Sequence, residues 1–235
     1  MVLDPVAVPV SDVRWPSCYR VIPSRFPPVQ LFEEVANPED LEAVFAIEAL
    51  TNDRIRDEVG TLSLVAPEDR VTGAGASSIM AAFTHPSPIG GRFTDGSFGA
   101  YYTARDLETA IEETVYHRER FLRATNEAPI ELDMRVLRAR LGAELHDLRS
   151  LAPDHPDIYH LDDYSASQAL ARGLRATGSW GIAYDSVRRT GGECAAVLRP
   201  RALSRCQQAQ HLGYVWDGAR ISTVYQKKIL QKLSS

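Results

Sequence analysis

"PIELDMRV", residues 129–136, alternates without a break. Ile130, Leu132, Met134 and Val136 fall on one side, and Glu131, Asp133 and Arg135 on the other. Successive side chains of a strand point to opposite faces, so this spacing predicts a half-buried antiparallel strand. Working outward, "WGIAYDSVR" (180–188) and "ECAAVLRP" (193–200) read as two strands around the Gly191-Gly192 turn. "FGAYYTA" (98–104) reads as a short strand entered by the Asp95-Gly96 turn, "WPSCYRVIP" (15–23) as a strand closed by Pro23, and "ARISTVYQKK" (219–228) as a last one.

Three stretches carry helix signals. In "NPEDLEAVFAIEALTNDRIRDEVG" (37–60), Asn37 suits the N-cap, Pro38 the first turn, Glu39 and Asp40 the dipole, and Gly60 the end. Asp106 can cap a helix running to about 125, with Glu108 in its first turn. "YSASQALARGLRATG" (164–178) is a third, ending at Gly178. Residues 1–14, with Pro5 and Pro9, read as an extended arm. "SRFPPVQLF" (24–32) reads as irregular or edge structure, because Pro27 and Pro28 remove ladder donors. Residues 61–90 read as loop; their "GAG" (73–75) lacks the spacing of a dinucleotide fingerprint. With no repeat and no low-complexity linker, the expectation is one α+β domain with a mainly antiparallel sheet.

Composition narrows the function. The 235 residues are 44% hydrophobic and 24% charged, ordinary values for a chain with a packed core. A net charge of −5 argues against a dedicated nucleic-acid binder, which would neutralise phosphates. The locally basic "RPRALSR" (199–205) reads as a solvated face. No stretch approaches the roughly 18–20 apolar residues of a membrane helix, and the start lacks the pattern of a signal peptide, so the cytoplasm is the expected location. Cys18, Cys194 and Cys206 are widely spaced, which disfavours a disulfide framework or a zinc site. There is no Gly-x-Ser-x-Gly elbow, Walker A loop or His-Glu-x-x-His pair. "DHPDIYH" (154–160) reads as a polar loop, because Pro156 spoils a helical ligand spacing.

What remains is "GGRFTDGSFGAYYTARDLETAIEETVYH" (90–117). Arg92 follows two glycines, where backbone can approach a ligand, and guanidinium suits a phosphate. Of the paired acids, Glu112 shares a flank with Glu108 and Glu119 and reads as solvent-facing. Glu113 lies between Ala110 and His117, better company for an acid in a cleft. Tyr101 and Tyr102 alternate faces, so one can pack while the other meets a ligand. Ser186 follows a strand, with Tyr184 before it and Arg188 after.

"GGRF" (90–93), "YYTA" (101–104), "AIEETVYH" (110–117), "GIAYDSVR" (181–188) and "GGECAAVLRP" (191–200), in this order, resemble the RES domain, named for an arginine, a glutamate and a serine. Those are Arg92, Glu113 and Ser186 here. "WPSCYRVI" resembles the family's opening strand and adds Tyr19 and Arg20. The resemblance implies an ADP-ribosyltransferase-like fold over residues 15–235, with a helical insertion at about 27–89 that could serve antitoxin binding, dimerisation or acceptor choice. It implies a toxin, paired with an Xre-type helix-turn-helix antitoxin, that cleaves the nicotinamide–ribose bond of NAD⁺. NAD⁺ is then substrate rather than cofactor, and the acceptor is phosphate, water or, in the alternative, a protein side chain that becomes ADP-ribosylated. Glu113 would stabilise the ribosyl cation, Arg92 would hold the pyrophosphate, Tyr102 would stack on nicotinamide, and Ser186 would bond the ribose or amide. Tyr19 and Arg20 would complete the NAD⁺ site. The chain departs from the pattern in having Phe93, not a tryptophan, after the arginine.

Overall fold

The strand begun by residues 129–136 runs much further, to Asp147. A computed structural model describes residues 3–24, 32, 33, 35, 38–48, 59–228, 230 and 231. Among these the strands are β1 (Val10–Pro23), β2 (Tyr101–Ala104), β3 (Ile130–Asp147), β4 (Gly181–Asp185), β5 (Glu193–Val197), β6 (Leu203–Trp216) and β7 (Ile221–Lys227). The helices are α1 (Leu41–Glu48), α2 (Ala76–Thr84), α3 (Leu107–Ala124) and α4 (Ser165–Ala176).

β3 serves two cores. Met134 and Val136, in its first half, face one; Leu137, Ala139, Leu141, Ala143 and Leu145 face the other. Side chains 134–137 are all buried, so the strand is covered on both faces there. Arg135 is caught in this stretch and is only 6% exposed, whereas Glu131 and Asp133 lie outside as the alternation predicts and pair with Lys227.

The strand order is β1-β2-β5-β4-β3-β6-β7, and an additional β1–β3 pairing closes the first five strands on themselves. Only the β3–β4 pair is parallel; the others are antiparallel. This is an α+β architecture. The N-terminal arm is shorter than its prolines suggest, because Val10–Arg14 already pair with residues 142–146 of β3. The expected helix over 37–60 begins with a 3-10 turn at Pro38–Asp40 and continues as α1, while Asn37 and residues 49–58 lie outside the described set. Residues 25–31 of the proline-rich stretch lie outside it too.

Residues 61–90 are not all loop. α2 follows the "GAG" run and packs Ile79, Met80 and Phe83 into the first core, with Trp15, Tyr101 and Val197. Gly75 has φ 83°, and a Cβ there would sit 2.0 Å from the Cys206 carbonyl oxygen. The close approach of β6 therefore accounts for this glycine. In the basic run 199–205 only Arg199 is built in, held by Asp69 and stacked on Trp180; Arg201 and Arg205 are exposed, as a solvated face predicts, and β6 starts at Leu203.

The second core lies under α3 and α4, where Phe93, Leu170, Leu174, Ile182, Tyr184 and Tyr214 meet. No helix among the described residues is long and apolar enough to cross a membrane.

Candidate functional site

α3 starts where its capping residue predicts. Asp106 accepts from the Thr109 N–H and hydroxyl, both at 2.8 Å, satisfying an orphan donor of the first turn. The same carboxylate accepts from Arg189 Nη1 at 2.7 Å, which ties the β4–β5 turn to the helix start. Two turns along, Glu112 is exposed and Glu113 is half-buried.

Ser186 Oγ donates to Glu113 Oε1 at 2.6 Å and accepts from the backbone N–H groups of Arg188 and Arg189, each at 3.1 Å. The Ser186 N–H closes the turn on Gly192 O at 2.8 Å. A hydroxyl has one proton to give and two lone pairs, so this one is fully used. In this arrangement Ser186 aims the carboxylate, and it has no capacity left for a ribose or amide. Glu113 Oε2 carries no hydrogen bond to any described residue.

The Arg92 segment is fixed just as firmly. Tyr102 Oη accepts from Phe93 N–H at 2.9 Å and meets Thr94 Oγ1 at 3.1 Å. A Cβ on Gly91 would lie 2.9 Å from that hydroxyl, so the glycine lets the turn and the phenol meet. From α4, Gln168 Nε2 donates to the carbonyls of Gly91 and Thr94, and Ser167 Oγ donates to that of Arg92.

Arg92 itself is 7% exposed. Its Nη1 donates to the carbonyls of Ile158 (3.0 Å) and His160 (2.9 Å), and the guanidinium lies 4.8 Å from the Tyr164 ring centroid. The 154–164 loop is thus strapped across this face. Arg188 donates to Leu161 O, and Tyr116 donates to the Asp162 carboxylate. His160 Nδ1 accepts from the backbone N–H groups of Asp162 and Asp163. The loop read as merely polar is a fastened part of the site.

Arg92 and Glu113 both bear on the buried Tyr184 phenol, whose pKa burial drives up; Glu113 raises it further and Arg92 opposes. Burial likewise pushes the Tyr102 phenol up to about 12, against the hydrogen bonds from Thr94 and Phe93. His117, one turn beyond Glu113, is exposed at its edge. Loss of hydration on its protein side, then repulsion from Arg188, Arg118, Arg120 and Arg92, pushes its imidazole down to about 4.

Tyr19 faces this same core and lines a hollow of about 440 Å³ beside the start of α3. Arg20 does not join it. As the next residue of the strand it points to the opposite face, stacks 4.8 Å from the Tyr101 ring centroid and donates to Tyr102 O at 3.2 Å. The structure therefore gathers Tyr19, Arg92, Tyr102, Glu113 and Ser186 on one side of the sheet and leaves Arg20 on the other. Arg188, noted beside Ser186 in the sequence but given no role there, and Tyr116, not singled out, both belong to this face. The available signal was an arginine two residues past Ser186, in a turn short enough to carry it back to α3. Among the described residues, no group of three or more His, Cys, Asp and Glu could hold a metal ion.

Residues 67–217 match the model of the RES domain family. The uncharacterized protein y4oC of Sinorhizobium fredii (strain NBRC 101917 / NGR234) is 37% identical over 207 residues, covering 88% of this chain and 86% of that protein. Among solved structures, the M. tuberculosis MbcT–MbcA toxin–antitoxin complex shares 14% identity over 86% of each chain. The TM-score between the two is 0.45.

Proposed function

The chain belongs to the RES domain family, and from that premise we propose that it is a toxin that cleaves the nicotinamide–ribose bond of NAD⁺. The observation that carries the reading is the Ser186–Glu113 contact at 2.6 Å, which orders one carboxylate and leaves its second oxygen without a donor among the described residues. Nicotinamide in NAD⁺ is a cationic leaving group and needs no general acid. The ribosyl carbon–nitrogen bond breaks with its electron pair going to the ring nitrogen. The ribose then bears oxocarbenium character, which the Glu113 carboxylate stabilises, as carboxylates do at glycosidic centres. A phosphate or water oxygen forms the new bond to that carbon, and an acceptor proton passes to solvent. Arg92 and Ser186 support this chemistry by fixing the strap and the carboxylate, so that the geometry exists before substrate arrives.

The partner that follows from this reading is an Xre-type antitoxin covering the site. The deciding experiment incubates purified protein with NAD⁺, with and without phosphate, and identifies products by mass spectrometry. Wild type should release nicotinamide, with ADP-ribose or its phosphate ester. Glu113→Gln should slow release by about 100-fold or more, the scale of losing one preorganised electrostatic contact. Intact NAD⁺ after prolonged incubation with folded wild type would overturn the proposal. ADP-ribose found on a protein instead would move the reading to a protein ADP-ribosyltransferase.

A further inference from the structure

The two ends of α3 present different charge. At the N-terminal end, the hollow that contains Tyr19 and Trp15 is lined by Arg14 and Arg105 but also by Asp106 and Glu108. Both arginines are already neutralised, Arg14 by Asp12 at 2.8 Å and Arg105 by Glu193. Past Glu113 in the other direction, His117 and Arg120 follow at the i+4 and i+7 positions, on the same side of the helix. Arg120 makes no ion pair or hydrogen bond with any described residue. Arg188 Cζ lies over the Tyr116 ring, 3.3 Å from its centroid, and the side chain spends one N–H on the Leu161 carbonyl. It has no ion pair among the described residues. Asp162 is close enough to feel the charge of both Arg188 and Arg120, but it forms an ion pair with neither and accepts from Tyr116.

Resting on the reading of NAD⁺ as substrate, we infer that the diphosphate lies along α3 on the C-terminal side of Glu113, and that Arg188, with Arg120 beside it, binds it. Arg92 is poorly placed for that task. It is buried, and its Nη1 is held by two carbonyls from the 154–164 loop. A diphosphate gains most from guanidinium groups that no carboxylate has already neutralised. Stacking on Tyr116 restrains the Arg188 plane while leaving its edge donors open, which lowers the ordering cost of gripping two phosphates. The seven-residue step from Glu113 to Arg120 spans about 10 Å of helix, enough to set the reacting ribose at one end and the diphosphate further along. The depressed His117 imidazole between them reports the same positive surroundings.

Steady-state turnover of NAD⁺ and calorimetric binding of ADP-ribose test this on the full chain. Arg188→Ala should raise the KM for NAD⁺ and the Kd for ADP-ribose by about 10- to 100-fold, with kcat within about threefold, as expected for losing charge-assisted hydrogen bonds. Arg188→Lys should recover part, since it keeps the charge but loses the fork. An Arg14→Ala/Arg105→Ala double variant should behave as wild type. If Arg188→Ala does not fold, Arg120→Ala carries the test, with ADP-ribose binding weakened about fivefold or more. An active wild type whose Arg188 or Arg120 variants bind ADP-ribose unchanged, or whose double variant is the one that loses it, overturns the inference alone. A wild type that neither cleaves NAD⁺ nor binds ADP-ribose overturns the substrate reading, and the inference with it.

Discussion

Replacing Arg92 with alanine separates two roles for this residue. If it is an anchor, the loss falls on stability. The substitution removes two charge-assisted hydrogen bonds, at 3.0 and 2.9 Å, and the stacking on Tyr164, and it leaves the Ile158 carbonyl buried without its donor. Hydrogen bonds to a charged group are each worth about 1.5–3 kcal/mol, and a cation–π contact about 0.5–2. Because the His160 carbonyl is only partly buried, water can replace some of this, so the net cost should be about 3–5 kcal/mol. For a chain of this length that corresponds to a fall in Tm of roughly 6–20 °C. Urea and thermal unfolding measure it directly, and amide exchange in the 154–164 loop should rise in step. Arg92→Lys keeps the charge but not the fork, and should recover less than half of the loss. The result that refutes this reasoning is an Arg92→Ala protein with wild-type Tm and loop protection that has lost NAD⁺ binding. Arg92 would then be a ligand of the substrate and not a fastening for the strap.

Other outcomes follow from the same contacts. Ser186→Ala removes the donor that aims Glu113, and kcat should fall about 10- to 100-fold, equivalent to roughly 1.4–3 kcal/mol, while the KM for NAD⁺ stays within about threefold. A KM raised tens of fold at unchanged kcat would show instead that the hydroxyl touches substrate. By NMR, the His117 imidazole should titrate near 4 in the free protein and move upward once ADP-ribose is bound, because anionic charge offsets the surrounding guanidinium groups. The sign for stability follows: the unfolded chain binds this proton more readily, so the His117 contribution favours folding less as pH falls from about 6.5 towards 4. His117→Gln should flatten that part of the pH–stability curve.

Much of the frame was legible because it is local. The alternation at 129–136, the Asp106 cap and the glycine turn before "ECAAVLRP" each act through neighbours a few residues away, and β3, α3 and the β4–β5 hairpin appear where those signals lie. The phase of α3 separated Glu113 from Glu112, and the two do differ in exposure. Strand alternation also dictates that Tyr19 and Arg20 point to opposite faces; what it leaves open is which face holds Glu113. α2 went unread because the glycines before it look like a loop, and the reason for Gly75, the close backbone of β6, is more than 100 residues away in the chain.

By itself, then, the amino-acid order determined every strand but β6, the helices α1, α3 and α4, and the side chains proposed to act on NAD⁺. Only the folded chain decided what those side chains bond to. Arg92 looks like a phosphate ligand until its acceptors, carbonyls 66 and 68 residues further on, are brought against it. Ser186 looks free until Glu113 and two turn amides use its hydroxyl completely. Backbone dihedrals and side-chain periodicity are set within a few residues. The remaining bonding capacity of a guanidinium or a hydroxyl depends on partners that loop closure brings in from distant segments.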